Sequence, residues 1–297
     1  MPDALIVGGD SLIGRHLGLA LRSAGRPFRA TSRRAGAGAL PLDLAAPAFA
    51  AFDGLAFGCA YICAAVTDLR ACERHPEAAA RVNLEGTLAV MRMLAARGTE
   101  LVFFSSSQVF DGETPLPDER AVCRPKNAYG RQKLALEAAI AREGLPAAVL
   151  RPTKVLAAEP VGMFRLWFEK LRQGEPAVAA SDMTLAPVAA EEVAGAAIAL
   201  ADRRCRGIWH LSSADEVTYA EAAALMAAAC GFPPDLVRGE AVPEDRVPQI
   251  YRHRYSALDA RKIAAALGLA IRPARVVLSE LFAGFPGAAE GSRGALK

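Results

Sequence analysis

Several things are scarce in this chain of 297 residues, and each scarcity excludes something. No run of about 18 apolar residues is present, so nothing reads as a membrane-spanning helix. Met1-Pro2-Asp3-Ala4-Leu5 lacks the charged start and apolar core of a secretory leader, so a cytoplasmic protein is expected. Charge of one sign is not in excess. The 35 lysines and arginines against 32 aspartates and glutamates leave a formal charge of +3, without a long basic run, and a nucleic-acid partner is not expected. The cysteines, Cys59, Cys63, Cys72, Cys123, Cys205 and Cys230, form no Cys-x-x-Cys pair. Cys59 and Cys63 are followed by no second pair of ligands, so reduced thiols are expected rather than disulfides or a metal centre. No carboxylate cluster makes a divalent metal necessary. What remains is an alanine-rich chain, long enough for one large domain or two smaller ones.

The apolar run Ala4-Leu5-Ile6-Val7 ends in Gly8-Gly9, the pattern of a buried first strand. Ile13, Leu17, Ala20 and Leu21 then recur at helical spacing, and Gly25 marks a stop. A glycine turn between strand and helix brings backbone N–H groups and the positive helix end to a pyrophosphate. Gly8, Ser11, Leu12, Ile13 and Gly14 are therefore the candidate cofactor contacts. The Ser11 side chain crowds the phosphates somewhat, while its hydroxyl is a candidate donor to one of them.

Pro27 to Thr31 reads as the second strand, and Ser32-Arg33-Arg34 follows it. An NAD site usually places an acidic side chain there for the ribose 2′-hydroxyl. Here two guanidinium groups stand instead, suited to a 2′-phosphate, so NADP(H) is preferred and NAD(H) is the alternative. Residues 59–65 read as a strand running out beneath the cofactor, where the small Ala64 and Ala65 allow close approach. Residues 77–97 carry a long helical pattern.

The run Leu101-Val102-Phe103-Phe104 leads into Ser105-Ser106-Ser107, a hydroxyl cluster at the end of a buried strand. Open α/β sheets place their ligands at such ends. Further on, Tyr129 and Lys133 stand four apart on one helical face. A free phenol has a pKa near 10, and an ammonium within about 4–6 Å stabilises the phenolate and lowers that value. The expectation is that Tyr129 protonates a carbonyl oxygen, with Lys133 as its activator and as a holder of the cofactor ribose.

These stretches together resemble the extended short-chain dehydrogenases/reductases and, within them, the dTDP-4-dehydrorhamnose reductase family. Gly8, Ser11 and Gly14 stand where the superfamily has Gly-x-x-Gly-x-x-Gly. Val82-Asn83-Leu84-Glu85-Gly86-Thr87 is similar to a segment whose asparagine braces the active-site strand. Residues 105–112 resemble Ser-Thr-Asp-Tyr-Val-Phe-Asp-Gly. Aligned on Val109-Phe110-Asp111-Gly112, Ser106 takes the catalytic hydroxyl position, and Ser107 and Gln108 replace the family's Asp-Tyr as candidate substrate contacts. Related dehydratases carry an Asp-Glu pair there, so dehydration is not expected. Pro125 and Asn127 precede Tyr129 as in the reductases.

The resemblance implies further contacts. Asp43 is an adenine contact or a plain loop carboxylate. Lys154, where the family often has an aromatic residue, is a phosphate contact or a solvated lysine. Arg252 and Arg254 lie in a segment similar to Arg-Pro-x-x-Ser-x-Leu-Asp, and meet a nucleotide-sugar diphosphate or are surface charge. Ile62-Cys63 departs from the asparagine that usually precedes the two alanines.

The expected fold is α/β, a doubly wound parallel sheet of the Rossmann type with a smaller C-terminal α/β substrate-binding part. Residues 1–160 form the dinucleotide-binding domain, with 182–213 returning to the sheet. Residues 161–181 and 214–283 form the substrate part, and 284–297 a flexible tail. Thr218 is an expected N-cap and His210 a structural residue; the aromatics of 163–168 are core or a substrate wall. The resemblance implies an NADPH-dependent reductase acting on the keto group of a nucleotide-linked sugar, with a homodimer as a possible assembly. The alternatives are a sugar-nucleotide epimerase, a reductase of another small carbonyl compound, or a non-catalytic NADP-binding regulatory subunit resembling that of methionine adenosyltransferase.

Overall fold

The computed structural model describes residues 4–34, 38–243 and 245–286. Strand β1 (Ala4–Val7) is apolar and buried at every position, as a strand covered on both faces must be. Leu5 and Val7 enter one core cluster, with Leu88, Met91 and Leu136 among its members. Beside β1 lie β2 (Phe28–Ser32) and β3 (Leu40–Pro41) on one side. On the other lie β4 (Cys59–Ile62), β5 (Glu100–Phe104), β6 (Ala147–Pro152) and the strand Gly207–Leu211. The pairings from β1 to β6 are parallel, with Ile6 opposite Ala30 and Tyr61. The chain winds outward from β1 to β3 and then resumes at β4 on the opposite side of β1. That reversal opens a crevice at the carboxyl ends of β1 and β4, where such sheets hold ligands.

Helix α1 (Leu12–Ser23) packs against the helix Ala190–Asp202, whose first turn carries Glu191 and Glu192, favourable to its dipole. The segment expected as one helix over 77–97 is broken into parts. After α2 (Leu69–Arg74) come α3 (Pro76–Ala80), a wide π-helical turn over Arg81–Gly86, and α4 (Thr87–Ala96). A Cβ on Gly86 would overlap the Leu44 carbonyl, so only glycine lets this turn lie against the β3–β4 connection. Helix α5 (Ala128–Glu143) starts at Asn127, whose Oδ1 accepts from the Gly130 N–H at 2.9 Å. It stops at Gly144, which takes the left-handed conformation with φ 62°.

Two compact units result. One comprises residues 1–111, 121–152 and 190–210; the other comprises 112–120, 153–189 and 211 onward. This division differs from the expected one. The chain leaves the first unit at Thr153 rather than beyond 160, residues 182–189 stay with the second unit, and so does the excursion 112–120.

In the second unit Phe164, Trp167 and Phe168 lie on one face of the helix Gly162–Arg172 and are buried against Phe282 and Phe285 and their neighbours. Five edge-on ring contacts tie this set together with Tyr219 and Phe232, which makes the aromatics core rather than substrate wall. Phe285 is only 5 % exposed, so the expected tail cannot begin before it; residues 287–297 of that tail lie outside the described residues. Thr218 caps the helix Tyr219–Ala229 in a capping box with Glu221. Among the described residues no helix is long and apolar enough to cross a membrane.

Candidate active site

The glycine turn after β1 is built by close approach. Gly8 has φ +88°, and a Cβ there would come within 2.7 Å of the Ala64 Cβ. Its N–H donates to the Thr31 hydroxyl at 3.0 Å, which fastens the turn to β2. A Cβ on Gly14 would overlap the Gly8 carbonyl. Ser11 caps α1: its Oγ accepts from the Gly14 N–H at 3.0 Å and donates to the Gly8 carbonyl at 2.8 Å. The expected donation from Ser11 to a phosphate is therefore replaced by a bond within the turn itself.

The turn forms one wall of a cleft of about 220 Å³. Ser11, Ser32, Arg33, Ala64 and Ala65 line it, as do Gly8 and Asp10. Arg33 is exposed on this wall, while Arg34, Leu12 and Ile13 are not among the lining residues. The Arg34 N–H is held by the Ser32 hydroxyl at 3.0 Å. Asp43 is corrected. Its carboxylate turns back to accept from the Ala45 N–H at 2.9 Å, and its apolar neighbours Leu42 and Leu44 line the cleft instead. Asp10, Thr31 and these two leucines were not singled out by the sequence as cleft residues; the alternation around Asp43 was a signal for the leucines alone.

The fit of a dinucleotide can be judged from this geometry. Glycine is forced at 8 and 14, the N-terminal end of α1 points its backbone donors at the turn, and the far wall offers apolar surface beside a guanidinium. The residues present suit a phosphorylated dinucleotide.

The second part of the site lies where β5 ends. Ser105, Ser106 and Ser107 take three different paths. Ser105 turns inward and donates to Glu137. The Ser106 side chain accepts from the Gln108 N–H at 3.2 Å and is hydrogen-bonded to Tyr129. Ser107 opens a short 3₁₀ turn, Ser107–Val109. The Gln108 side-chain oxygen accepts from Asn127 Nδ2 at 2.7 Å, and a Cβ on Gly130 would overlap the Gln108 carbonyl. Asn127 thus ties the 3₁₀ turn to the start of α5.

Tyr129 and Lys133 are 8 % and 4 % exposed. The Lys133 ammonium donates to the Phe104 carbonyl at 2.7 Å and stands 5.6 Å from the Tyr129 ring centroid and 4.6 Å from that of Phe103. Burial pushes the Tyr129 phenol above its ordinary value, the Cys72 thiol adds to the rise, and the Ser106 hydrogen bond opposes it. Burial lowers Lys133 to about 8, with Glu137, Cys63 and Cys72 acting in the opposite sense. The expected depression of the phenol by the lysine is thus reversed: desolvation outweighs it, and the ammonium is drawn to a backbone oxygen. The result is a phenol that keeps its proton at neutral pH.

Asn83 acts as a brace, but between the loop at Val66 and α5 rather than on the active-site strand. From the π-helical turn its Oδ1 accepts from the Val66 N–H at 2.7 Å, and its Nδ2 donates to the Val66 carbonyl at 3.0 Å and to Gln132 Oε1 at 2.8 Å. The loop after Ala64 and Ala65 is thereby joined to α5. Beneath lies a set the sequence did not reveal. Arg151, in the otherwise apolar β6, pairs with Glu137 and meets His210 Nε2 at 3.3 Å and the Cys123 sulfur at 3.3 Å. Its signal was a charged residue within a buried strand, which must find a partner.

The remaining candidates belong to the second unit. Lys154 is exposed, and its backbone N–H donates to the Ala186 carbonyl at 3.0 Å. Arg252 is corrected: Nε donates to the Val247 carbonyl at 2.8 Å, Nη2 to the Val242 carbonyl, and Nη1 pairs with Asp182 at 3.1 Å. Its donors stitch its own loop. The Arg254 guanidinium lies 5.3 Å from the Tyr255 ring centroid. Glu216, not singled out by the sequence, holds the following segment through the Ser256 and Ala257 N–H groups.

Residues 3–285 match the model of the RmlD substrate binding domain. The dTDP-4-dehydrorhamnose reductase of Mycobacterium tuberculosis is 32% identical over 214 residues, covering 69% of this chain and 69% of that protein. Methionine adenosyltransferase 2 subunit beta of Bos taurus is 29% identical over 229 residues, covering 73% of this chain and 67% of that protein. Among solved structures, the dTDP-4-dehydrorhamnose reductase of Bacillus anthracis in complex with NADP superposes with a TM-score of 0.81 at 19% identity, covering 95% of this chain and 98% of that one.

Proposed function

Since the chain belongs to the family of the RmlD substrate binding domain, we propose that it is an NADPH-dependent reductase acting on the keto group of a nucleotide-linked sugar, as its dTDP-4-dehydrorhamnose reductase relatives are named for doing. The observation that carries this reading is the buried Tyr129, with the half-buried Ser106 as its hydroxyl partner and the Lys133 ammonium 5.6 Å from its ring centroid. NADPH, when bound, supplies a hydride to the carbonyl carbon. Tyr129 gives its phenolic proton to the carbonyl oxygen, and general acid catalysis of this kind is worth about 10²–10⁴-fold. Ser106 donates a hydrogen bond to the same oxygen and fixes its position. The Lys133 ammonium steadies the phenolate left behind and holds the nicotinamide ribose. Gly8, Ser11 and Gly14 shape the pyrophosphate turn, Arg33 on the cleft wall suits a 2′-phosphate, and Ala64 and Ala65 permit close approach. Ser107 and Gln108 offer no carboxylate for removing water, which favours simple reduction over dehydration. A cytoplasmic location is part of this reading.

The test is a purified preparation given NADPH and a panel of nucleotide ketosugars, dTDP-4-dehydrorhamnose among them. NADPH oxidation with one of them is expected; none with any overturns the reading. A second reading, a non-catalytic NADP-binding regulatory subunit, is favoured by the similarity to methionine adenosyltransferase 2 subunit beta. It predicts co-purification with a catalytic partner and no NADPH consumption. An epimerase would instead retain NAD through purification.

A further inference from the structure

Helix α5 carries three buried polar residues in line, Tyr129, Lys133 and Glu137, each four residues from the next and each less than 10 % exposed. Successive fours lie on one helical face. The first two belong to the chemistry proposed above, and the third is held from two directions. Arg151 on β6 donates Nε to Glu137 Oε1 at 2.9 Å and Nη2 to Oε2, a two-point guanidinium–carboxylate pair. Ser105, the residue after β5, donates its hydroxyl to Oε1. Ser105 sits between Phe104, whose carbonyl takes the Lys133 ammonium, and Ser106, whose side chain meets Tyr129. One carboxylate therefore pins the strand end that presents both of the lysine's and the tyrosine's partners.

We propose that Glu137 is a positioning residue for the carbonyl reduction: through Ser105 it registers the end of β5 against α5, and through its charge it keeps Lys133 an ammonium in a buried place. The inference rests on the reductase reading given above. The groups facing Lys133 are Tyr129 and Glu137 on α5, the Phe104 carbonyl on β5, Cys63 after β4 and Cys72 on α2. Of these, Glu137 is the strongest influence opposing the loss of its proton. Glu137 in turn pairs with Arg151, and Arg151 faces His210 and Cys123.

Glu137→Gln keeps the side-chain length and an oxygen for Ser105 and Arg151, but not the charge. Two readouts follow. The alkaline limb of the kcat profile should move about one pH unit lower, as expected for loss of one nearby opposite charge. The Lys133 side-chain carbon signal, assigned by its absence in Lys133→Met, should titrate lower by the same amount in ¹³C-lysine-labelled protein. NADPH affinity measured well below the limb should not change. A folded Glu137→Gln protein whose Lys133 titrates where the wild type's does overturns the proposal. Should that variant not fold because Arg151 is left unpaired, Glu137→Gln with Arg151→Met removes the pair as a unit, and a downward shift is still expected in it, smaller because a positive charge is lost with the carboxylate; no shift in it overturns the proposal. A wild type that turns over no ketosugar sinks the reductase reading alone, since the Lys133 titration still decides the role of Glu137.

Discussion

Ser32-Arg33-Arg34 and Arg252-His253-Arg254 look alike as sequence and end in opposite conditions. The backbone around the first is already satisfied, because Thr31 and Ser32 pair with Leu40 and Pro41 in the sheet. Arg33 lies just past that pairing and stays exposed on the cleft wall. The second stands in irregular chain, where the Val242 and Val247 carbonyls have no strand to pair with and Arg252 takes both. A basic residue is thus available for a ligand where regular structure has used up the backbone acceptors, and becomes part of the scaffold where it has not.

That contrast can be broken at several points. The largest effect belongs to the sheet end itself. Tyr129→Phe should lower turnover by about 10²–10⁴-fold while NADPH binding, read by fluorescence titration, stays within error; undiminished turnover would remove the tyrosine from the chemistry. Next, Arg33→Ser should weaken NADPH binding by roughly 10–100-fold, the worth of a hydrogen bond to a charged group, and leave NADH binding nearly unchanged. Equal losses for both cofactors would show that Arg33 does not meet the 2′-phosphate. Arg252→Ala should behave in the reverse manner. Thermal unfolding should show about 1 kcal/mol of lost stability, with the KM for a nucleotide sugar unaltered in the folded protein. A raised KM at unchanged stability would return Arg252 to the substrate. The smallest effect is expected for Asp43→Ala, within about 0.5 kcal/mol in stability and about twofold in NADPH affinity, because its carboxylate serves only an exposed turn.

The parts of this molecule legible in its sequence are those where one residue type has a single physical use. Gly8 and Gly14 were readable because a side chain at either would collide with Ala64 or with the turn's own backbone. The apolar runs of β1 and β5 were readable because a doubly covered strand has no polar face. Thr218 caps its helix in the usual way. What escaped were residues whose use depends on which distant chain arrives beside them. Ser11 and Asp43 both turned to their own neighbours, and nothing local in the sequence says whether a hydroxyl or carboxylate will bond to its turn or to a ligand. Glu137 escaped because its partners, Ser105 and Arg151, lie 32 and 14 residues away. A sharper reading was available: a carboxylate on the tyrosine–lysine face of α5 and a guanidinium within an apolar strand are two halves of one buried pair.

The wide turn at Arg81–Gly86 works as a phase adjuster between two helical stretches. An α-helix advances about 100° per residue, so a single surplus residue rotates everything after it by that angle. Upstream of the surplus, Ala79 faces the small cluster that holds Cys72 and Tyr129. Downstream, Leu88, Met91 and Leu94 face the sheet. Deleting one residue would turn the segment into the regular helix its composition suggests, and would swing the leucines of α4 off the sheet or Asn83 away from Val66. The irregularity lets a single stretch of chain keep two appointments that an ideal helix could not.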